Sequence, residues 1–174
     1  VEPAWGHTED RVGMAGWGMG ADELLASRQI RQAVTSLEGI AASFDNGITY
    51  AKGSVVLRMF EQYVGEDAWR EFIRAYVRRF AWGNATADDF IGAMRASLGD
   101  EVATAFTTFL DQPGVPRIEL TDACHVTQRR ALPAGTVDEA ARVWSFPVCV
   151  RWRGGEKCQL ISEADQVLDL PSCK

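Results

Sequence analysis

The feature that most constrains this chain is a change of period at Gln112-Pro113-Gly114. Before it, apolar residues recur every three or four positions; after it, short runs rich in Val, Ile, Thr and Trp alternate with turn residues. Helices and strands bury their apolar faces differently, so two periods in separate blocks read as α+β, mainly helical first and antiparallel β second. The helical block carries three stripes: Trp69, Phe72, Ile73, Tyr76, Val77 and Phe80; Phe90, Ile91, Met94 and Leu98; and Val102, Ala105, Phe106, Phe109 and Leu110. Thr86 with Asp89 three residues on predicts a capping box, and Gly99 a helix end. Helical signals extend over about 21–111. The run Tyr50 to Val64 is apolar on most sides and predicts a helix covered on several faces. The glycine-rich residues 1–20 show little period and read as irregular. Beyond a boundary near Val115, strands are expected at 117–120, 125–130, 143–152, 159–161 and 167–170, with a hairpin turn at Gly154-Gly155.

Charge and cysteine usage narrow the function classes. The 174 residues carry a net charge of −6, so the basic footprint of a nucleic-acid binder is missing. Arg70, Arg74, Arg78 and Arg79 cluster, but at helical spacing with Glu66 and Glu71 among them, which predicts a solvated, salt-bridged face. No apolar run is long enough to span a membrane, and the N-terminus does not have the basic-then-apolar pattern of a signal peptide. It also lacks an initiator Met, and the expectation is a chain that starts inside a longer protein. Cys124, Cys149, Cys158 and Cys173 all lie in the last third without a C-x-x-C pair, which argues for disulfides rather than a zinc cluster. The hairpin would bring Cys149 and Cys158 within disulfide reach and leave Cys124 for Cys173, one of three connectivities open to four thiols.

Residues 44–60 describe a turn at Asp45-Asn46-Gly47 leading into a helix that begins near Tyr50. A tyrosine there admits two readings: a core residue bonded to a carbonyl, or a catalytic donor. His7-Thr8-Glu9-Asp10 groups ligand-type residues, but in a glycine-rich terminus they read as a solvated loop, and His125 as a strand residue.

The string Phe44-Asp45-x-x-Ile48-Thr49-Tyr50-x-Lys52-Gly53, followed by Val56-Leu57-Arg58-Met59, resembles the signature of the zinc-dependent aminopeptidase N family, the membrane alanyl aminopeptidases among the gluzincins. The similarity continues through Tyr63 to Arg70, Tyr76, Gly83 to Phe90 and Gln112-Pro113-Gly114-Val115-Pro116, and again at Gln128 and Trp144 to Val148. The resemblance implies that residues 1–115 are the helical C-terminal half of a thermolysin-like catalytic domain and residues 116–174 a small antiparallel β-sandwich. It implies a parent enzyme that hydrolyses N-terminal residues from peptide substrates with zinc as cofactor. Tyr50 would then be the catalytic residue, its hydroxyl directed at the scissile carbonyl, with Lys52 and Gly53 structural parts of the motif.

The family holds zinc through His-Glu-x-x-His plus a later Glu, the first Glu acting as general base. This chain has two histidines, and neither His7 nor His125 begins that motif, so the metal ligands are absent from it. The expectation is therefore a fragment of an extracellular or periplasmic aminopeptidase, binding no zinc and inactive alone. Its partner would be the missing N-terminal part of the same protein, docking on exposed apolar surface. The alternative from another class is a non-catalytic helical interaction module with an accessory β domain.

Overall fold

The computed structural model describes residues 7–121 and 124–170. Helix α1 spans His7–Asp22 and α2 Leu37–Ser43; a wide turn, Asn46–Lys52, runs directly into α3, Gly53–Val64. Helices α4 (Glu66–Arg79), α5 (Ala87–Leu98) and α6 (Asp100–Asp111) follow. The strands are β1 (Pro116–Thr121), β2 (His125–Arg130), β3 (Phe146–Trp152), β4 (Gly155–Ile161) and β5 (Asp165–Val167). The fold is thus α+β, helices first, with the changeover at Gln112–Val115.

Two expectations for the first third of the chain are overturned. The glycine-rich start is a 16-residue helix, not an irregular segment. Its stability comes from a tertiary contact that glycine itself permits: a Cβ on Gly18 would lie 2.9 Å from the Lys52 backbone nitrogen and 3.2 Å from the Ala51 carbonyl carbon. The absent side chain lets α1 lie directly against the wide turn, which outweighs the poor intrinsic helix propensity of glycine. Conversely, residues 23–35, expected to be helical, are irregular. The end of α6 claims them instead. The Arg31 backbone N–H donates to Leu110 O at 3.0 Å, and its guanidinium holds both Asp111 carboxylate oxygens at 2.7 Å and Asp88 at 2.7 Å.

From α3 onward the periodic stripes become packed faces. Thr86 and Asp89 form the capping box at the start of α5, with both reciprocal bonds in place. The stripes meet in an aromatic cluster: Phe60 on Phe106 (ring centroids 5.4 Å), Trp69 on Phe72 (5.3 Å), Phe72 on Phe90 (5.3 Å) and Tyr76 on Phe90 (5.0 Å), all edge-on. Such pairs contribute about 0.5–1.5 kcal/mol each beyond their buried area. The arginine face of α4 is exposed and paired as expected, Arg70 with Glu66 and Asp67, and Arg74 with Glu71. Helix α3 is less covered than its composition predicts: Val56 and Phe60 are buried, while Val55 and Leu57 remain exposed on its flanks.

The β region comprises two small antiparallel sheets, one of order β1-β2-β5 and one pairing β3 with β4. The β3–β4 register pairs Cys149 with Cys158 and Trp152 with Gly155, so the tight turn is Arg153-Gly154, one residue earlier than expected. The last strand is shorter than predicted and lies at 165–167, paired with β2. One apolar cluster joins Phe60, Phe72, Met94 and Phe109 of the helices to Val126, Trp144, Phe146, Ile161 and Leu168 of the β region. Gln128 on β2 is a buried polar residue. Its amide donates to Trp144 O (2.9 Å) and Glu163 O (2.8 Å) and accepts from Trp144 N (2.9 Å), so burial leaves it satisfied.

Candidate functional site around Tyr50

The wide turn that carries Tyr50 is built from its two ends. At the start, Asp45 caps it by accepting from Ile48 N–H at 2.6 Å. Arg28 pairs with the same carboxylate and donates to Thr49 Oγ1 at 2.8 Å, while Thr49 donates to Ser43 O at 2.6 Å. At the end, the Gly53 N–H reaches back to Ile48 O, five residues away, as well as to Tyr50 O. This i−5 bond is the widened, π-type geometry often found at functional sites. Ile48, Ala51 and Lys52 are buried; between Gly47 and Gly53 only Tyr50 is exposed, at 49%. The helix proper begins at Gly53 rather than near Tyr50.

Tyr50 is therefore not a core tyrosine. Its hydroxyl has no hydrogen-bond partner among the described residues, and its ring borders a cavity of about 490 Å³. Ile30, Leu57, Tyr76, Phe90 and Phe106 supply apolar walls and Thr49 a polar edge. A phenol held at such an edge can donate to an oxygen without bringing a charge.

Lys52, two residues on, has the opposite environment. Its Nζ faces Asp22 Oδ2 at 2.8 Å, with side chains only 2% and 0% exposed, and donates to Gly114 O at 3.0 Å and, more weakly, to Gln112 O at 3.4 Å. Asp22 Oδ1 accepts from the Gly114 N–H at 2.9 Å and from Ser27 Oγ. Burial pushes the Lys52 ammonium below its ordinary value, against the upward pull of Asp22. Gly114 has φ +88°, and a Cβ there would sit 2.5 Å from Arg130 Nε, so only glycine fits this crossing. Lys52 is thus a structural member of the motif, as expected. Asp22, its partner, escaped the sequence reading; the available signal was a lone cation in an otherwise apolar run, which demands a buried counter-charge.

A second cavity, about 250 Å³, lies on the other flank of α3 among Met19, Val55, Met59, Phe109 and Ile118. Its one charged neighbour, Lys52, is already paired, so it holds no group able to act on a substrate.

The described residues do not fit a zinc ion. His125 stands exposed on β2 with Nδ1 3.1 Å from Asp165, and the side chain of His7 is outside the described residues. Cys149, Glu156 and Cys158 are the one cluster of ligand types found among the described residues, and its two sulfurs are joined in a disulfide. Cys124 is disulfide-bonded as well, and Cys173, expected as its partner, lies outside the described residues. Among the described residues no helix is long and apolar enough to cross a membrane.

Comparison with known proteins gives the family of the helical block. Residues 2–109 match the Peptidase family M1 domain. Aminopeptidase N of Streptomyces lividans is 35% identical over 137 residues, covering 72% of this chain and 16% of the relative. The probable M1 family aminopeptidase 1 of Encephalitozoon cuniculi is 34% identical over 140 residues, covering 79% of this chain and 16% of the relative. Among solved structures, Legionella pneumophila aminopeptidase A superposes with a TM-score of 0.58 at 18% identity, covering 92% of this chain and 19% of that one. An M1 zinc metallopeptidase of Deinococcus radiodurans, solved with a Tyr-Ser-Ala substrate, gives 0.51 at 21% identity over 65% of this chain and 25% of that one. The chain spans less than a fifth of the length of the curated relatives it matches. The M1 family is zinc-dependent and binds peptide substrates, and no zinc site is evident among the described residues. On the match of residues 2–109 and the identity to its curated relatives, this chain belongs to peptidase family M1.

Proposed function

We propose that this chain is the tyrosine-bearing part of a zinc metallo-aminopeptidase, with Tyr50 donating its hydroxyl to the scissile carbonyl oxygen of a bound peptide. One observation carries the reading: between Gly47 and Gly53, Tyr50 alone is exposed, its hydroxyl without a partner among the described residues and its ring at the edge of a cavity. During attack on a carbonyl, negative charge grows on that oxygen. A donor already in place there stabilises the transition state more than the substrate, because no reorganisation is needed as the charge appears. A phenol O–H is a hydrogen-bond donor, the group type this role needs. The zinc ligands and the general base belong, in this reading, to the N-terminal part of the same protein. That part docks on exposed apolar side chains such as Leu37 of α2 and Phe44, just before the tyrosine turn. The cross-linked cysteines favour an oxidising setting, extracellular or periplasmic, for the whole.

Reading the encoded residues upstream of Val1 tests the proposal. His-Glu-x-x-His with a further downstream Glu is the expected result; an initiator Met and export signal directly before Val1 would overturn it. A metal assay gives a second arm. The 174-residue chain should retain no zinc after dialysis and release no product from aminoacyl-p-nitroanilides, and stoichiometric zinc with turnover would contradict the assignment.

A further inference from the structure

We propose that Asp22 and Lys52 form a clamp that positions Tyr50, tying its turn at once to α1 and to the crossing between the helices and the strands. This rests on the reading of Tyr50 above. Asp22 ends α1, Lys52 ends the wide turn, and between them they hold both backbone polar groups of Gly114: Asp22 accepts its N–H at 2.9 Å and Lys52 donates to its C=O at 3.0 Å. Three segments far apart in sequence thus meet in one directional knot. Stability alone does not require it, since well-packed apolar residues often replace a buried ion pair at no loss. A charge pair differs from an apolar contact in fixing register, because the partners are satisfied in one arrangement only.

The register fixed here is that of the tyrosine. Thr49, immediately before Tyr50, is held by Arg28 and by Ser43 O; Lys52, two residues after, is held by Asp22 and Gly114. Gly18 completes the seat by allowing α1 to lie against Ala51 and Lys52. Tyr50 itself makes no such bond among the described residues, so its direction is set by its neighbours. A displacement of about 1 Å in a reacting geometry can cost on the order of 10²-fold in rate, so a clamp remote from substrate has a role to play. Asp22 and Lys52 are accordingly positioning residues, not catalytic ones.

The chain contains three tyrosines, Tyr50, Tyr63 and Tyr76, which makes fluorine NMR of 3-fluorotyrosine-labelled protein a direct readout. In Lys52→Met the Tyr50 resonance should shift or split, while Tyr63 on α3 and Tyr76 on α4 hold their positions. An unmoved Tyr50 resonance in a folded variant would overturn the clamp. Should Lys52→Met not fold, the isosteric Asp22→Asn answers the same question, and the joint replacement Asp22→Leu with Lys52→Met removes both charges together. Activity of the longer aminopeptidase separates the two proposals. Lys52→Met should lower kcat about 10–10²-fold with KM changed less than about twofold, and Lys52→Arg should recover part of the loss. If Tyr50→Phe is crippled and Lys52→Met is not, the clamp fails. If Tyr50→Phe is fully active, the reading of Tyr50 fails, whatever the spectra show.

Discussion

Helix α1 carries four glycines within its span, Gly13, Gly16, Gly18 and Gly20, and replacing each with alanine should split them three to one. Alanine gains about 0.8–1 kcal/mol over glycine in a helix interior, mainly by reducing the freedom of the unfolded chain. At Gly13, Gly16 and Gly20 an added Cβ meets nothing within 4 Å, so that gain should appear nearly whole. At Gly18 the Cβ would stand 2.9 Å from Lys52 N, 3.2 Å from Ala51 C and 3.3 Å from Ala51 Cβ. Two of those atoms are backbone and cannot swing aside, so α1 has to move outward. Overpacking of this kind costs roughly 1–3 kcal/mol. Asp22 lies one turn along the same face, and the same movement stretches its 2.8 Å pairing with Lys52. The net effect at Gly18 is a loss of about 1–2 kcal/mol. Urea unfolding followed by far-ultraviolet circular dichroism reads the difference directly. With a slope of about 2 kcal/mol/M, three midpoints should rise by about 0.3–0.5 M and that of Gly18→Ala should fall by about 0.5–1 M. A Gly18→Ala midpoint raised alongside the other three would refute the close seating of α1 on the tyrosine turn.

Three further outcomes follow from the packing. Arg130, the Ala140 N–H and Arg142 all engage the Asp138 carboxylate and hold it well below the usual carboxylate range. Its stabilising contribution is therefore complete above about pH 4 and is lost as pH falls further, so Asp138→Asn should flatten the acid limb of the stability curve, measured by thermal unfolding from pH 7 down to pH 2. An unchanged slope would show that the carboxylate is not held in solution. Breaking Cys149–Cys158, which closes nine residues of separation, should cost about 2–3 kcal/mol on the chain-entropy argument, seen as a lower urea midpoint in the Cys149→Ala, Cys158→Ala double variant. Thr86→Ala removes one half of the capping box and should cost about 1 kcal/mol by the same assay, with helix content lost at the start of α5.

What the sequence made legible, and what it hid, divides along the range of the forces involved. The stripes of α4, α5 and α6, the Thr86 cap and the Cys149–Cys158 hairpin are local patterns, and each appears where its spacing puts it. At the start of the chain, glycine content alone predicts an irregular segment, while Gly18 is where another backbone approaches. Residues 23–35 show the complementary limit: Arg31 answers to Asp111 and Asp88, over 50 positions away, and no local period records that. At the site, Tyr50 and Lys52 are legible as a motif, and the structure buries Lys52 in an ion pair. The widened turn is not legible there, and Lys52 signals a buried counter-charge without its spacing saying that Asp22 supplies it. The exposed flanks of α3 show the same limit, since composition records that a residue is apolar but not which neighbour covers it.

The central claim is that Tyr50 serves as a donor to the substrate carbonyl, and the most direct test removes one oxygen atom. Tyr50→Phe in the proposed parent aminopeptidase keeps the ring, its exposure and its place beside the cavity, and deletes only the hydroxyl. Loss of one such donor should lower kcat by about 10²–10³-fold while KM and zinc content stay close to those of the parent enzyme. A variant that turns over peptide within about threefold of the parent would contradict the account.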